Sequence, residues 1–357
     1  MRYEPFGPWI VPWRFQSTVE EYRALQTGAG LADVSFLATL ACAGADRAAF
    51  LHRLLTNDVQ RLSPGQGCRA ALLTPTAKVL AELLLLADPD TLWLLCDLTR
   101  AETALAALER YHFAESVTLA NRERCWAALA LQGPRTLACL STLTGATIAL
   151  PQPGSHQRAE LDGIPVRLVR HSVAGCGVGV VCLIEAAQAE PVWTWLCARG
   201  AAAGLRPVGW DALNTLRIES GEPWSGVDVT EANLLPETGL DAATVSETKG
   251  CYVGQEIVAR MRTYGSANKK LMGLLLEGEA SAAPGDPIVR DGEALGAITS
   301  ACVSLALHRP IALGYVKRGA YEPGTRVEVV SRAGRVPATV ARFPVPGTVS
   351  EPVTGTV

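Results

Sequence analysis

The sequence has no Cys-x-x-Cys pair, although it holds 10 cysteines in 357 residues. They are scattered at Cys42, Cys68, Cys96, Cys125, Cys139, Cys176, Cys182, Cys197, Cys251 and Cys302, mostly in apolar runs such as Val181-Cys182-Leu183. An even count in a small secreted chain would suggest disulfides; here the setting suggests reduced core residues. The five histidines lack zinc-site spacing, so no metal site is expected. Basic blocks and charge runs are missing and the net charge is −3, which argues against a nucleic-acid partner. Long apolar runs are missing too. The most apolar stretch, Val79 to Ala87, is broken by Glu82 and is too short to span a bilayer. The opening MRYEPFGPWIVPWRF has acid and proline where a signal peptide needs an unbroken apolar run. A soluble, cytoplasmic protein without a membrane partner is expected. Charged residues are only 19% against 48% hydrophobic, enough core for two or three domains and too much for wholesale disorder.

Periodicity along the chain alternates between helix and strand. Residues 20–40 begin as an amphipathic helix, stop at Gly28 and Gly30, and enter a strand over Leu31 to Leu40. Ala45 to Thr56 reads as a second helix, with Phe50, Leu51, Leu54 and Leu55 on one face. Cys68–Leu73, Lys78–Ala87 and Thr91–Cys96 read as strands, Arg100–Tyr111 as a helix and Ser116–Ala120 as a short strand, a ferredoxin-like order. The pattern recurs: strand Cys125–Gln132, helix Arg135–Leu143, strands Ile164–Arg170 and Gly177–Ile184, helix Pro191–Gly204. Trp210 to Ser220 is a helix ended by Gly221; Glu219 in its last turn opposes the helix dipole. Such a residue is either a solvated helix-end acid or the mark of a functional site. Residues 222–248 read as a long irregular connection, and from Lys269 onward short strands between Pro-Gly and Asp-Gly turns predict a small antiparallel barrel. The fold class is therefore α+β: two ferredoxin-like α/β halves (1–124 and 125–268), a C-terminal β-barrel (269–345) and a loose tail (346–357).

The stretch Glu247 to Arg262, ETKGCYVGQEIVARMR, is the densest in chemistry. Val253, Ile257, Val258 and Met261 at helical spacing predict a helix starting near Gly254. Cys251 then lies in the preceding loop, two residues from Lys249 and near a helix N-terminus, both of which favour a thiolate. The alternative is an ordinary buried cysteine. Glu256 and Arg260 are spaced for a helical ion pair.

Lys249-Gly250-Cys251-Tyr252, then Gly254-Gln255-Glu256, then Arg260, resembles the signature of the YgfZ family. That family is similar to the glycine-cleavage T-protein and includes an iron–sulfur assembly factor. AGADRAAFLHRLLTNDVQRLSPG, ALQGPRT, LNTLRIESG and ITSACVSLALHRPIALGYV extend the likeness over most of the chain. The resemblance implies a three-domain ring around a tetrahydrofolate site, with iron–sulfur assembly proteins or client enzymes as partners. Glu219 matches the pterin-binding Glu of the family. Asn57 is either a helix-end residue or part of the folate pocket wall. Arg260, Arg262 or Lys249 would meet the anionic folate tail and Tyr252 would stack on a ring; Gln255 and Glu256 complete the motif as candidate binding residues. Cys251 is the candidate catalytic thiol: a nucleophile, a redox-sensitive group or a transient iron ligand. One departure stands out. T-proteins carry an acidic pair where this chain has Ala81-Glu82, and the facing of Glu82 is undetermined by alternation alone. The resemblance thus implies a folate-binding factor in iron–sulfur assembly or repair. The alternatives are a folate-dependent aminomethyltransferase or demethylase, and a partner-binding protein with a vestigial cleft.

Overall fold

A computed structural model describes residues 1–6, 9–122, 125–265 and 267–345. The tail expected to be loose, 346–357, lies outside the described residues. Two sheets stand face to face, the first antiparallel and the second antiparallel except for one parallel edge strand, each covered on its outer side by helices. The first has five strands in the order Gly67–Leu73, Val79–Ala87, Thr91–Asp97, Leu37–Ala43, Thr118–Asn121. The second has six, in the order His156–Leu161, Ile164–Arg170, Gly179–Glu185, Trp126–Gln132, Ala29–Asp33, Leu205–Pro207. Each contains the four-strand ferredoxin-like arrangement plus additions. A six-stranded closed antiparallel barrel follows from Lys269 to Ala341.

Period-two alternation builds this sandwich. On Val79–Ala87, Leu84 and Leu86 point inward into the core shared with Ala128, Ala130 and Leu183 of the other sheet. Leu83 and Leu85 point outward, under Phe50 and Leu51 of helix Arg47–Leu54 and Ala104 of helix Leu98–Glu109. Outside the second sheet, Leu131, Val180 and Cys182 meet Leu140, Val192 and Leu196 of helices Thr136–Thr144 and Ala189–Gly200.

The structure revises the reading of residues 31–40. The expected single strand is two, Ala29–Asp33 and Leu37–Ala43, which belong to different sheets. Ala29–Asp33 pairs with Trp126–Gln132, so the second sheet borrows a strand from ahead of residue 124. The cause is tertiary, since Val34 and Phe36 between them are buried in the shared core. Strand His156–Leu161 was not foreseen because its alternation is mostly polar. The connection 222–248 contains two single-turn helices, Leu235–Thr238 and Asp241–Thr244.

Helix Trp210–Ser220 is the hub. Eight of its eleven residues are buried, including Arg217 and Glu219. Phe36, Trp210 and Trp224 form an edge-to-face triangle at its start, with ring centroids 4.9–5.3 Å apart. Gly221 ends the helix in the left-handed conformation (φ 76), and a Cβ there would lie 2.8 Å from Cβ of Phe343. The chain then turns directly into Glu222.

A polar clamp joins the two sheets. Arg167 holds Asp88 with two bonds of 2.8 and 2.6 Å, and Trp93 donates a third of 2.9 Å. Burial alone would raise the Asp88 carboxyl; these donors and the arginine charge outweigh it and hold the group down at about 2. A depressed carboxyl contributes stability above its unfolded value, near 3.9, that is lost as pH falls toward 2. Asp88→Asn should therefore flatten the acid limb of the stability curve between pH 5 and 2, measured by urea denaturation across pH.

Candidate functional site

Two adjoining cavities open between the sheets, the hub and the barrel, with about 640 and 710 Å³ of empty space. Arg69, Glu222 and Pro223 line both. Arg69 comes from strand Gly67–Leu73 and Glu82 from the neighbouring Val79–Ala87. Glu82 shares the inward face of Leu84 and Leu86, so it faces the cavity. The Arg69 Nε donates to Glu82 Oε1 at 2.7 Å and Nη2 to Glu222 Oε1 at 2.5 Å. Asp97, His171 and Trp224 complete the polar part of the first cavity. Asp97 accepts from the Thr99 backbone at 2.9 Å.

Electrostatics follow from burial and this arrangement. Burial opposes the Arg69 charge, but Glu222 and Glu82 more than offset it and hold the guanidinium up. Burial raises Glu82 and Glu222 adds to this, against Arg69. Burial also raises Asp97 against the hydrogen bonds of Thr99 and Trp224. Three carboxylates thus share a wall with one guanidinium. Such a wall suits a ligand edge rich in N–H donors. Around the second cavity the polarity reverses at Arg342, next to Phe343 and the barrel residues Met272 and Leu313.

The residues singled out from the sequence lie elsewhere. Glu219 is 1% exposed and off both cavities. Its oxygens accept from Tyr22, from Ser304 Oγ at 2.6 Å and from the Ala306 backbone at 3.2 Å. The acid on the cavity is Glu222, three residues on. Asn57 serves the backbone: it donates to Arg69 O at 2.7 Å and accepts from Asp58 N at 2.8 Å. Lys249 is buried, with Nζ given to the carbonyls of His52 and Leu55 at the end of helix Arg47–Leu54. Burial pulls this ammonium down to about 8. It lies 5.2 Å from the Tyr252 ring centroid, and Tyr252 is packed with Ala77, Leu235 and Leu240. These placements overturn two roles: Lys249 is committed to carbonyls rather than to the Cys251 thiol, and Tyr252 is core.

The helix runs Gln255–Tyr264, so Cys251 is four residues ahead of it and exposed. Gly254 (φ 83) docks on the Thr74–Ala77 turn, where a Cβ would meet Thr74 O at 2.8 Å. Gln255 is half-buried at the helix start, and Glu256 and Arg260 are exposed without the expected ion pair between them. Arg262 pairs with Glu247 at 2.6 Å and with Asp241 at 3.7 Å. The motif is thus a clamp: Lys249, Tyr252 and Gly254 fix the loop and leave Cys251 outward.

Cys251 shares its exposure with Cys125. Burial pushes Cys42, Cys68 and Cys176 up to about 12, and Cys182 and Cys302 further. Alkylation at pH 7.5, read residue by residue by mass spectrometry, should label Cys125 and Cys251 first by at least tenfold. Equal rates across all ten would show that the exposed sites are not distinguished.

Arg69, Glu82, Asp97, His171, Glu222 and Trp224 escaped the sequence reading, Glu82 excepted as a position of unknown facing. The available signal was charge inside apolar strands: Arg69 in CRAALL and Glu82 in VLAELLLLA are oppositely charged residues on paired strands, two register positions apart. Glu222 sits between a helix-ending glycine and a proline, a place that propensity does not distinguish from any loop.

Two fused ferredoxin-like units and a closed six-stranded barrel, with a polar cavity lined by Glu82, Asp97 and Glu222, define a three-part α/β-and-barrel protein. Residues 2–248 match the GCVT N-terminal domain and residues 269–345 the glycine cleavage T-protein C-terminal barrel domain, so the chain belongs to the glycine cleavage T-protein family. It is 30% identical over 342 residues to an aminomethyltransferase of Bacillus subtilis (strain 168), covering 95% of this chain and 93% of the relative. An aminomethyltransferase of Synechococcus sp. (strain CC9902) is 29% identical, covering 96% and 94%. The solved structure of the glycine cleavage system aminomethyltransferase T from Bartonella henselae shares the fold, with a TM-score of 0.86 at 22% identity over 98% of this chain and 96% of that one. Among the described residues no helix is long and apolar enough to cross a membrane.

Proposed function

We propose that this protein binds a reduced folate in the paired cavities and supports the assembly or repair of iron–sulfur enzymes. The observation that carries the folate part is the acidic wall built by Glu82, Asp97 and Glu222 around Arg69. A pterin presents its amino group and ring N–H side by side, and a carboxylate accepts both. The two cavities adjoin through Arg69, Glu222 and Pro223, so a long ligand would run from one into the other. Glu222 or Glu82 would hold the pterin in place of Glu219, and Arg342 would meet the anionic tail in place of Arg260, Arg262 or Lys249. The iron–sulfur part rests on the YgfZ-like motif and on Cys251, held outward by its clamp. A single thiol does not hold a cluster, which takes four ligands, so Cys251 would act with a partner chain or as a reactive group.

A second reading is favoured by one observation. Glu82 faces the cavity where T-proteins keep an acid, and burial raises its pKa, which suits proton transfer at a folate nitrogen. That reading is aminomethyl transfer to tetrahydrofolate. In the first, Cys251→Ala fails to restore iron–sulfur enzyme activity in a strain lacking a YgfZ-type factor, while purified protein releases little ammonia from an aminomethylated carrier. Full rescue by Cys251→Ala together with carrier turnover at an ordinary enzyme rate would make the protein a transferase.

A further inference from the structure

Strand Ile164–Arg170 ends on a charge that the fold leaves unanswered. Alternation turns Arg167 and Val169 toward the space between the sheets, where Arg167 holds Asp88 and Val169 joins the shared core. Arg170 therefore turns to the outer face with Val166 and Leu168, which pack there with residues of helices Thr136–Thr144 and Ala189–Gly200. Its cross-strand neighbours are Val180 and, one strand further, Leu131, both apolar. Arg170 is 7% exposed, yet its side chain meets no hydrogen-bond or ion-pair partner among the described residues, and Nη1 is buried. Burial lowers its pKa and no carboxylate acts against that. Helix Thr136–Thr144 carries no acid, and Glu190 of helix Ala189–Gly200 is exposed at the other end of the sheet.

A second orphan lies at the same end of this face. Thr136 opens the helix that follows strand Trp126–Gln132; it is fully buried and its Oγ1 has no partner. A hydroxyl and a guanidinium both have hydrogens to give. Buried donors in native proteins are nearly always paired, and an unpaired buried charge is strongly destabilising. Solvent is close by. Arg170 N donates to Ser155 O and Arg170 O accepts from Gly154 N, each at 2.8 Å, and these two residues follow the exposed stretch 151–153.

We propose that Arg170 anchors a second ligand site, on the outer face of the second sheet, that takes a small oxyanion, a phosphate or carboxylate group. A guanidinium presents parallel N–H donors that match such an anion, and the positive end of helix Thr136–Thr144 lies toward the same end of the sheet. The site is separate from the paired cavities. His171, the next residue, lines the first cavity, whereas Arg170 is on the opposite side of the sheet.

The test is thermal denaturation of the full chain, without folate, in chloride, inorganic phosphate and acetate at matched ionic strength. Wild type, Arg170→Lys and Arg170→Leu are compared. The wild-type midpoint should rise with phosphate, by roughly 2–4 °C at ten times the dissociation constant. Phosphate also stabilises proteins in general, and Arg170→Leu should keep only that general rise. Arg170→Lys should keep part of the specific rise, since it retains the charge but not the fork of donors. In NMR, the Arg170 Nε–H signal should shift saturably with phosphate. Acetate that matches phosphate assigns the site to carboxylates, and a response to phosphate alone assigns it to phosphate groups. Equal rises in wild type and Arg170→Leu overturn the inference. So does an Nε–H signal that neither anion moves, which would leave a buried water as the partner of Arg170. If Arg170→Leu does not fold, the lysine variant and the NMR signal decide. Folate is absent throughout, so the outcome is independent of the folate reading.

Discussion

Asp228→Ala should lower stability by about 3–5 kcal/mol, the cost of leaving a buried charge without its partner. Asp228 and Arg217 are 0% and 2% exposed and form an ion pair where the hub helix, the loop after it and the barrel meet. Arg217 also gives Nε to Asn214 at 2.8 Å and Nη2 to Ser300 at 2.7 Å. Asp228 accepts from the Trp224 backbone at 2.8 Å and from Ser300 at 2.7 Å. Removing the aspartate strands the guanidinium and frees the turn that carries Glu222 and Trp224. The variant should therefore lose ligand affinity as well as stability. Urea denaturation and folate titration check both. The paired change Arg217→Met with Asp228→Leu should recover much of the stability, because no charge is then left unpaired. A single variant within about 1 kcal/mol of wild type would show that the pair is not the tether between barrel and hub.

The second large effect is expected at Arg69. Arg69→Met leaves Glu82 and Glu222 facing each other without their shared cation. Glu82, raised by burial and by Glu222, then loses the opposing arginine charge and sits further above its unfolded value, near 4.3. A carboxyl raised in the folded state makes that state bind more protons, so its cost grows as pH climbs past the unfolded value and is relieved as pH falls. The deficit against wild type should be about 3–5 kcal/mol at pH 8 and distinctly smaller at pH 5. Denaturation midpoints at the two pH values measure it. A deficit that does not change with pH would mean that the two acids do not share the arginine's charge. Folate binding by Arg69→Met should also weaken, since the guanidinium orients both acids of the wall.

Much of the architecture was legible in the residues. Helix Trp210–Ser220 was read to the residue, because its apolar face and the Gly221 stop are local signals. Strands Val79–Ala87 and Ile164–Arg170 were found within a residue of their ends from apolar runs alone. The barrel was legible from its turns. Strand His156–Leu161 was not, since its hydrogen bonds come from Ile164–Arg170 beside it and not from its own pattern. The split of residues 29–43 between two sheets was likewise invisible, since either strand alone reads the same.

The candidate site shows the limit more sharply. The motif around Cys251 is a strong local pattern, and the sequence alone marks it. What the sequence does not say is that Lys249 and Tyr252 point inward while Cys251 points out, because that depends on where helix Arg47–Leu54 ends and on the core at Leu240. Glu219 and Glu222 are one helix turn apart and chemically alike. Their difference arises because Tyr22 and Ser304, distant in sequence, fill the first, whereas the second meets Arg69 at the cavity. Local propensity and periodicity act over a few residues, so the sequence by itself determined most of the helices and strands, the barrel and the likeness to the T-protein family. Burial and charge pairing are set by residues on other elements, often far away in the chain, so only the tertiary structure decided which acids and which thiol face open space.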